Sequence, residues 1–410
     1  MPPHTGTQKT MTNDTTNANL TYLKTRYQDY YRNNPITPPD RFTRREYAYI
    51  FFGGKGMYRH QGYNKADELQ SFIADRAPQH AYYSTAYYHQ PDASTMQEKG
   101  WMGAELIFDL DADHLPDAET MSYEAQLAAV KTEFEKLVVD FLYNDFGFLP
   151  KHTQLTFSGG RGYHCHIKDP NILGLDSNQR REIVDYITAR DLDITIILKD
   201  HATQKKSIKG RTVATEKTLT MPKPTDPGWK GRISRGIITM VDDIMTDSNP
   251  TKRLQDMGMS KNRAEKIRAE LTDQRIKRIK EGQLDQSKTL RRFFLDDILR
   301  KNAVLLSAGE TDEPVTCDIK RLIRLPGSLH GKTGLKVVEI PSISDLKDFD
   351  PLTDALVFSD KLTPINITKE NTITINKKAH YLDCGETEVP EYLAVFLIAR
   401  KAADIIDIKT

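Results

Sequence analysis

Residues 105–113 read Glu-Leu-Ile-Phe-Asp-Leu-Asp-Ala-Asp, and Asp109 and Asp111 are the pair in this chain best placed to do chemistry. Side chains alternate across a strand with a period of two, so both aspartates leave one face while Leu106, Phe108 and Leu110 face a core. Two carboxylates held close on a rigid surface repel each other unless a cation lies between them. Hard divalent ions such as Mg²⁺ take one or two carboxylates and complete their shell with water and substrate phosphates. The pair therefore points to metal-dependent phosphoryl transfer. Read alone, Asp-x-Asp is equally a turn or a solvated strand edge.

A second motif, Thr156-Phe-Ser-Gly-Gly-Arg-Gly-Tyr-His-Cys-His166, follows a short apolar strand pattern. Glycines let the backbone approach a ligand closely, and amides in such a loop cradle anions. Arg161 adds a charge suited to phosphate oxygens, Ser158 adds a hydroxyl, and His164 and His166 share one face of the next strand. The loop lacks the Gly-Lys-Ser/Thr ending of a Walker A motif. A tight hairpin with an incidental arginine is its plainer reading. The third motif is Arg321-Leu-Ile-Arg-Leu-Pro-Gly-Ser-Leu-His-Gly-Lys-Thr-Gly334, where Arg324, His330 and Lys332 gather around a Pro-Gly turn. Metal carboxylates, an anion loop and a cationic clamp together are the parts needed for nucleotidyl transfer.

The rest of the chain must position these groups. With 410 residues, 38% apolar and 28% charged, it has the length and composition of a folded protein of two domains or one elaborated domain. No apolar run reaches membrane-span length, and residues 1–19, rich in Thr, Asn and Pro, read as a disordered lead-in without a signal peptide. Cys165, Cys317 and Cys384 are too few and scattered for a disulfide framework, which places the chain in a reducing, cytoplasmic compartment. Net charge is +1, yet nine Lys or Arg lie between His201 and Arg235 against two acids. That excess is either a phosphate-backbone footprint or a solvated face.

Periodicity predicts a helix over Tyr22–Tyr30, strands at 46–52, 57–63 and 81–88, the aspartate strand, and a long amphipathic helix over 122–146. Strands at 155–157 and 163–167 flank the glycine loop. Residues 168–302 change character: a helix at 177–189, a basic stretch, then a largely helical run with Ser260 as an N-cap. Mixed pattern returns after Asp312, with Asp318 at a helix start. The fold class expected is α/β or α+β: a core of residues 20–167 and 303–410 with central sheets and flanking helices, interrupted by a mainly helical insertion at 168–302.

In this order and combination, Arg45-Glu-Tyr, Phe-Asp-Leu-Asp, Ser-Gly-Gly-Arg-Gly-Tyr-His, Leu-Ile-Arg-Leu-Pro-Gly-Ser-Leu-His-Gly-Lys-Thr-Gly and Pro390-Glu-Tyr-Leu-Ala394 make the chain resemble the small, catalytic subunits of archaeal DNA primases. The likeness, within the archaeo-eukaryotic primase superfamily, runs over nearly all of residues 20–408. It implies synthesis of RNA or DNA primers from nucleoside triphosphates on single-stranded DNA, with two Mg²⁺ or Mn²⁺ ions, in a heterodimer with a large primase subunit. Asp109 and Asp111 match the first two metal carboxylates. The third, eighteen residues before His330, lands on Asp312, with Asp318 as the rival. Ser158, Arg161, His164, Arg324 and His330 match nucleotide contacts, and Arg45 a further substrate-contacting position. Many relatives carry a zinc knuckle after the aspartate strand; here Tyr123 and Gln126 stand where its paired cysteines would, so no structural zinc is expected. A stand-alone primase-polymerase of repair or plasmid replication is the alternative within the superfamily, and a catalytically silent nucleic-acid scaffold the alternative outside it.

Overall fold

The computed structural model describes residues 7–114, 118–194, 197–208, 211–284, 286–295, 301, 303–304 and 308–406, with the side chains of 7–15, 114 and 199–218 outside that description. By its contacts the chain forms two compact units: residues 1–138, 148–184 and 310–410 make the first, and 139–147 with 185–309 the second. Every sheet is antiparallel, so the fold is α+β. Among the described residues no helix is long and apolar enough to cross a membrane.

Two four-stranded sheets build the first unit. One runs in the order Leu322–Arg324, His80–Ser84, Tyr47–Ile50, Tyr58–Gln61; the other Val338–Ile340, Thr153–Phe157, Gly162–Ile167, Leu106–Asp111. All six residues of Gly162–Ile167 are buried, between the aspartate strand and Thr153–Phe157. The helix Tyr123–Lys136, whose N-cap Ser122 accepts the amide of Ala125, lays Val130 and Phe134 on this sheet. The Phe134 ring stacks on Tyr163 at 5.2 Å. Burial along Leu106–Asp111 keeps the expected alternation only at its end: Ile107 is as buried as its neighbours, and Asp109 and Asp111 alone are half-exposed.

The first helix runs from Thr7 to Asn33, across most of the polar lead-in; residues 1–6 of that lead-in lie outside the described residues. Asn19 on this helix ties the chain's two ends together. Its side-chain nitrogen donates to Asp404 Oδ1 at 2.7 Å, and its oxygen accepts the amide of Ile405 at 2.8 Å. Arg26 pairs with Glu391 at 3.0 Å.

At the heart of the unit lies a fully buried polar network. Glu105, just before the aspartate strand, pairs with Arg45, accepts from Tyr87 Oη at 3.0 Å, and meets His166 Nδ1 at 2.8 Å. Burial alone would raise the Glu105 pKa, but Arg45 and His166 hold its carboxyl well below the usual range. Arg45 also donates to the carbonyls of Asp40 and Ser84, each at 2.7 Å. This corrects the substrate-contacting role the sequence suggests: at 0% exposure Arg45 has no surface for a substrate. Its guanidinium joins the two sheets instead.

The second unit opens with a hairpin, Lys199–Ile208 with Arg211–Thr220, where the sequence shows only a basic stretch. The basic side chains at 205, 206, 209, 211 and 217 lie outside the described residues. The helix Gly228–Thr246 buries Ile233, Ile237, Val241 and Ile244, one amphipathic stripe. Arg232, one of the nine basic residues between His201 and Arg235, is buried here: it lies 3.6 Å over the Phe141 ring and bonds Asp145 at 2.5 Å. Short helices follow at Pro250–Asp256, Lys261–Glu270, Asp273–Lys280 and Lys288–Phe294.

Removing one partner of a buried ion pair strands the other charge, at a cost of about 3–5 kcal/mol. Arg45→Ala should lower the unfolding free energy by that amount in urea titration. An equally stable variant with altered nucleotide affinity would return Arg45 to the substrate.

Candidate active site

Asp109 and Asp111 stand opposite His164 and Gly162 on the next strand. Asp109 Oδ1 is 3.4 Å from His164 Nε2. Burial pushes the Asp109 carboxyl up to about 7, and the charges of Asp111 and Asp312 push in the same direction against Arg321 and Arg324. Asp312 therefore joins the pair, and its amide donates to the carbonyl of Asp109 at 2.9 Å. It occupies the N-cap position of the short helix Glu313–Cys317 without a side-chain capping bond. Asp318, expected at a helix start, instead stands at that helix's C-terminal end, where its Oδ1 accepts the amide of Lys320 at 2.9 Å. Its role is to close a turn.

The glycine loop lies beside this cluster because no other residue type fits there. A Cβ on Gly162 would fall 2.3 Å from the carbonyl oxygen of Leu110, and Gly159 has φ of +76° with a would-be Cβ 2.8 Å from His330 Cβ. Ser158 Oγ accepts the amides of Gly160 and Gly162, at 3.2 and 3.3 Å, so this hydroxyl shapes the loop from within. Two outside hydroxyls fasten it: Tyr123 Oη donates to Gly160 O and Thr333 Oγ1 to Gly159 O, both at 2.6 Å. Arg161 reaches Asp113 at 2.5 Å, Asp111 at 3.7 Å and Gln126 Oε1 at 3.3 Å. Gln126 in turn donates to the Ala118 carbonyl at 2.7 Å. Tyr123 and Gln126, the two residues standing at cysteine positions, are thus direct braces of the loop.

The third motif closes the opposite side. His330 turns its Nε2 toward Gly160, where a Cβ would sit 3.2 Å away. Arg324 lies over the Tyr82 ring at 4.8 Å and bonds His80 Nδ1, which also accepts the amide of Gly331 at 3.1 Å. Sequence reasoning missed His80. Its only signal was a histidine beginning an aromatic strand, and its partner lies 244 residues away. Three imidazoles here are neutral. Burial first, then Arg324 and Lys332, takes His80 down to about 3. His164 and His330 are likewise held well below 6.5 by burial and neighbouring positive charge. The clamp's charge therefore comes from Arg161, Arg324 and Lys332, while the histidines act as hydrogen-bonding groups. Of the residues named from sequence, Asp109, Asp111, Asp312, Ser158, Arg161, His164, Arg324 and His330 come together, and Arg45 and Asp318 do not.

Residues 108–341 match the family model described as DNA primase small subunit. The DNA primase small subunit PriS of Methanococcoides burtonii is 40% identical, over 93% of this chain and 97% of its own length. Those of Methanothrix thermoacetophila and Halorubrum lacusprofundi are 40% and 39% identical, over 94% and 93% of this chain and 98% and 97% of their own lengths.

A carboxyl that ionises near 7 in the fold but near 3.8 when unfolded opposes folding once it must be charged. Without metal, stability should be greatest below about pH 4 for this group and fall as pH rises to about 7, by up to about 4 kcal/mol. Asp109→Asn removes that slope. Melting curves of metal-free wild type and variant at about pH 5 and about pH 8 should diverge, with the variant relatively more stable at the higher pH. Parallel curves would contradict the electrostatic reading.

Proposed function

The chain belongs to the DNA primase small-subunit family, and we propose that it is the catalytic subunit of a primase, starting RNA or DNA primers on single-stranded DNA from nucleoside triphosphates. The observation that carries this reading is one surface where Asp109, Asp111 and Asp312 face the Ser158–Gly162 loop, with Arg324 and His330 beside it. A small subunit implies a large one, and the heterodimer inside the cytoplasm is the working form we infer.

The donor set fits a hard divalent ion. It is all carboxylate oxygen, and burial first, then the charges of Asp111 and Asp312, raise the Asp109 pKa, a cost that a proton or a cation relieves. Among the described residues no three His, Cys, Asp or Glu close on a single point, so Mg²⁺ or Mn²⁺ would draw on Asp109, Asp111 and Asp312 in part and on nucleotide phosphates for the rest. When bound, such ions supply charge neutralisation at the reacting phosphate and favour the attacking alkoxide. The chain's own groups do the positioning. Arg161 holds the triphosphate at the loop, and Arg324, kept in place by His80, offsets its charge. Neutral His164 and His330 bond phosphate oxygens without adding charge. Rigidity matters because misplacement by about 1 Å costs on the order of a hundredfold in rate.

Incorporation of labelled nucleotide on an unprimed template tests this. Asp109→Ala, Asp111→Ala and Asp312→Asn should each lower it by about a thousandfold or more, about 4 kcal/mol of barrier. Asp318→Asn should keep most activity and lose about 1 kcal/mol of stability from its turn. A fully active Asp111→Ala, or a stable but inactive Asp318→Asn, overturns the assignment. Extension of primed templates alone by the heterodimer would favour a polymerase role instead.

The same preparation should hold no stoichiometric zinc, since Tyr123 and Gln126 brace the loop where a metal knuckle would. Elemental analysis finding about one zinc per chain contradicts this and points to a histidine-based site.

A further inference from the structure

We propose that the second unit carries its own binding cleft for the phosphodiester backbone of a nucleic-acid strand. The cleft, of about 720 Å³, lies between the helices Lys261–Glu270 and Lys288–Phe294. Its polar wall includes Ser260, Arg263, Lys266, Lys288, Thr289 and Arg292, and among the described residues no acidic side chain lines it. Arg263 and Lys266 are three apart on one helix, Lys288 and Arg292 four apart on the other, so each pair shares a helix face. Cations thus line both walls in rows. That pattern suits a run of phosphates better than one compact anion, and Ser260 and Thr289 add hydroxyls of the kind that bond phosphate oxygens.

Neither helix has an acid in its first turn, and Lys261 and Lys288 stand at their first positions. Basic side chains there oppose the positive end of the helix dipole. Ser260 at the first N-cap makes no side-chain capping bond. An apolar floor of Ile267 and Leu295 completes the cleft.

This site is separate from the carboxylate cluster, and its test needs neither metal nor nucleotide. Fluorescence anisotropy would follow labelled oligothymidylate of about 20 nucleotides, longer than one binding site, across a salt series. Lys266→Ala with Arg292→Ala should weaken binding about tenfold. The slope of log affinity against log salt should fall by about 1.4, two phosphates at about 0.7 each. The swap Lys266→Arg with Arg292→Lys should restore both, and melting temperatures should stay near wild type because both side chains are exposed. The Asp109→Ala protein should bind as wild type does, which separates this result from any failure of the catalytic reading. Unchanged affinity and slope in the double variant overturn the proposal. So does displacement of the oligonucleotide by inorganic tripolyphosphate at matched phosphate concentration, which would make the cleft a small-anion site.

Discussion

A carboxylate with no access to water, Glu105, is the constraint on which the first unit depends. An ionised group at full burial is tolerated only when its neighbours replace the lost hydration. Here Arg45 comes from just before an inner strand of one sheet, His166 from the middle of the other, and Tyr87 from a third strand pair. Arg180 adds a clasp from below, donating to the carbonyls of Ala104 and Glu105 at 2.9 Å each. The network can be satisfied in one register only. A slip of one residue in the strand that follows would turn Asp109 and Asp111 into the core, so placing Glu105 also places the reactive face.

What that face holds is a balance of unfavourable parts. The charges of Asp111 and Asp312 press on the buried Asp109 carboxyl, three imidazoles are too buried to carry charge, and glycines fill spaces that admit no side chain. None of this is what stability alone would choose. The loop keeps its shape because hydroxyls from two distant segments, Tyr123 and Thr333, bond successive carbonyls. The framework therefore tolerates a site whose own parts oppose stability, as preorganised electrostatic sites require.

Local chemistry was legible in the sequence, and burial was not. Period-two alternation located Asp109 and Asp111, and the Gly-Gly-Arg-Gly and Pro-Gly signals located both loops, because these depend on a few adjacent residues. Arg45, expected at a substrate-contacting position, and Arg232, one of a basic stretch, are both buried. Their burial depends on Glu105 and Asp145, far away in sequence, and charge composition carries no sign of such partners. His80 escaped notice for the same reason. Asp318 was taken for a helix cap because an acid before Ile-Lys-Arg-Leu imitates one, while the helix it borders lies on its other side. The hairpin Lys199–Thr220 went unseen since its polar sequence shows no alternation of apolar residues. Antiparallel pairing of every sheet then decided between α/β and α+β, which element order alone left open.

The clasp between Asn19 and the strand Ala403–Ile405 bears on how the molecule comes into being. The first helix cannot reach its final seat until residues near Ile405 have left the ribosome, and the sheet carrying the carboxylates lacks its outer strand until Val338–Ile340 is made. Residues 185–309, which with 139–147 form the second unit, are complete well before that. Contacts between distant parts of a chain form late and slowly. The carboxylate cluster thus exists only after nearly the whole polypeptide has been synthesised, and a nascent or prematurely terminated chain carries the basic helices without the means to join nucleotides.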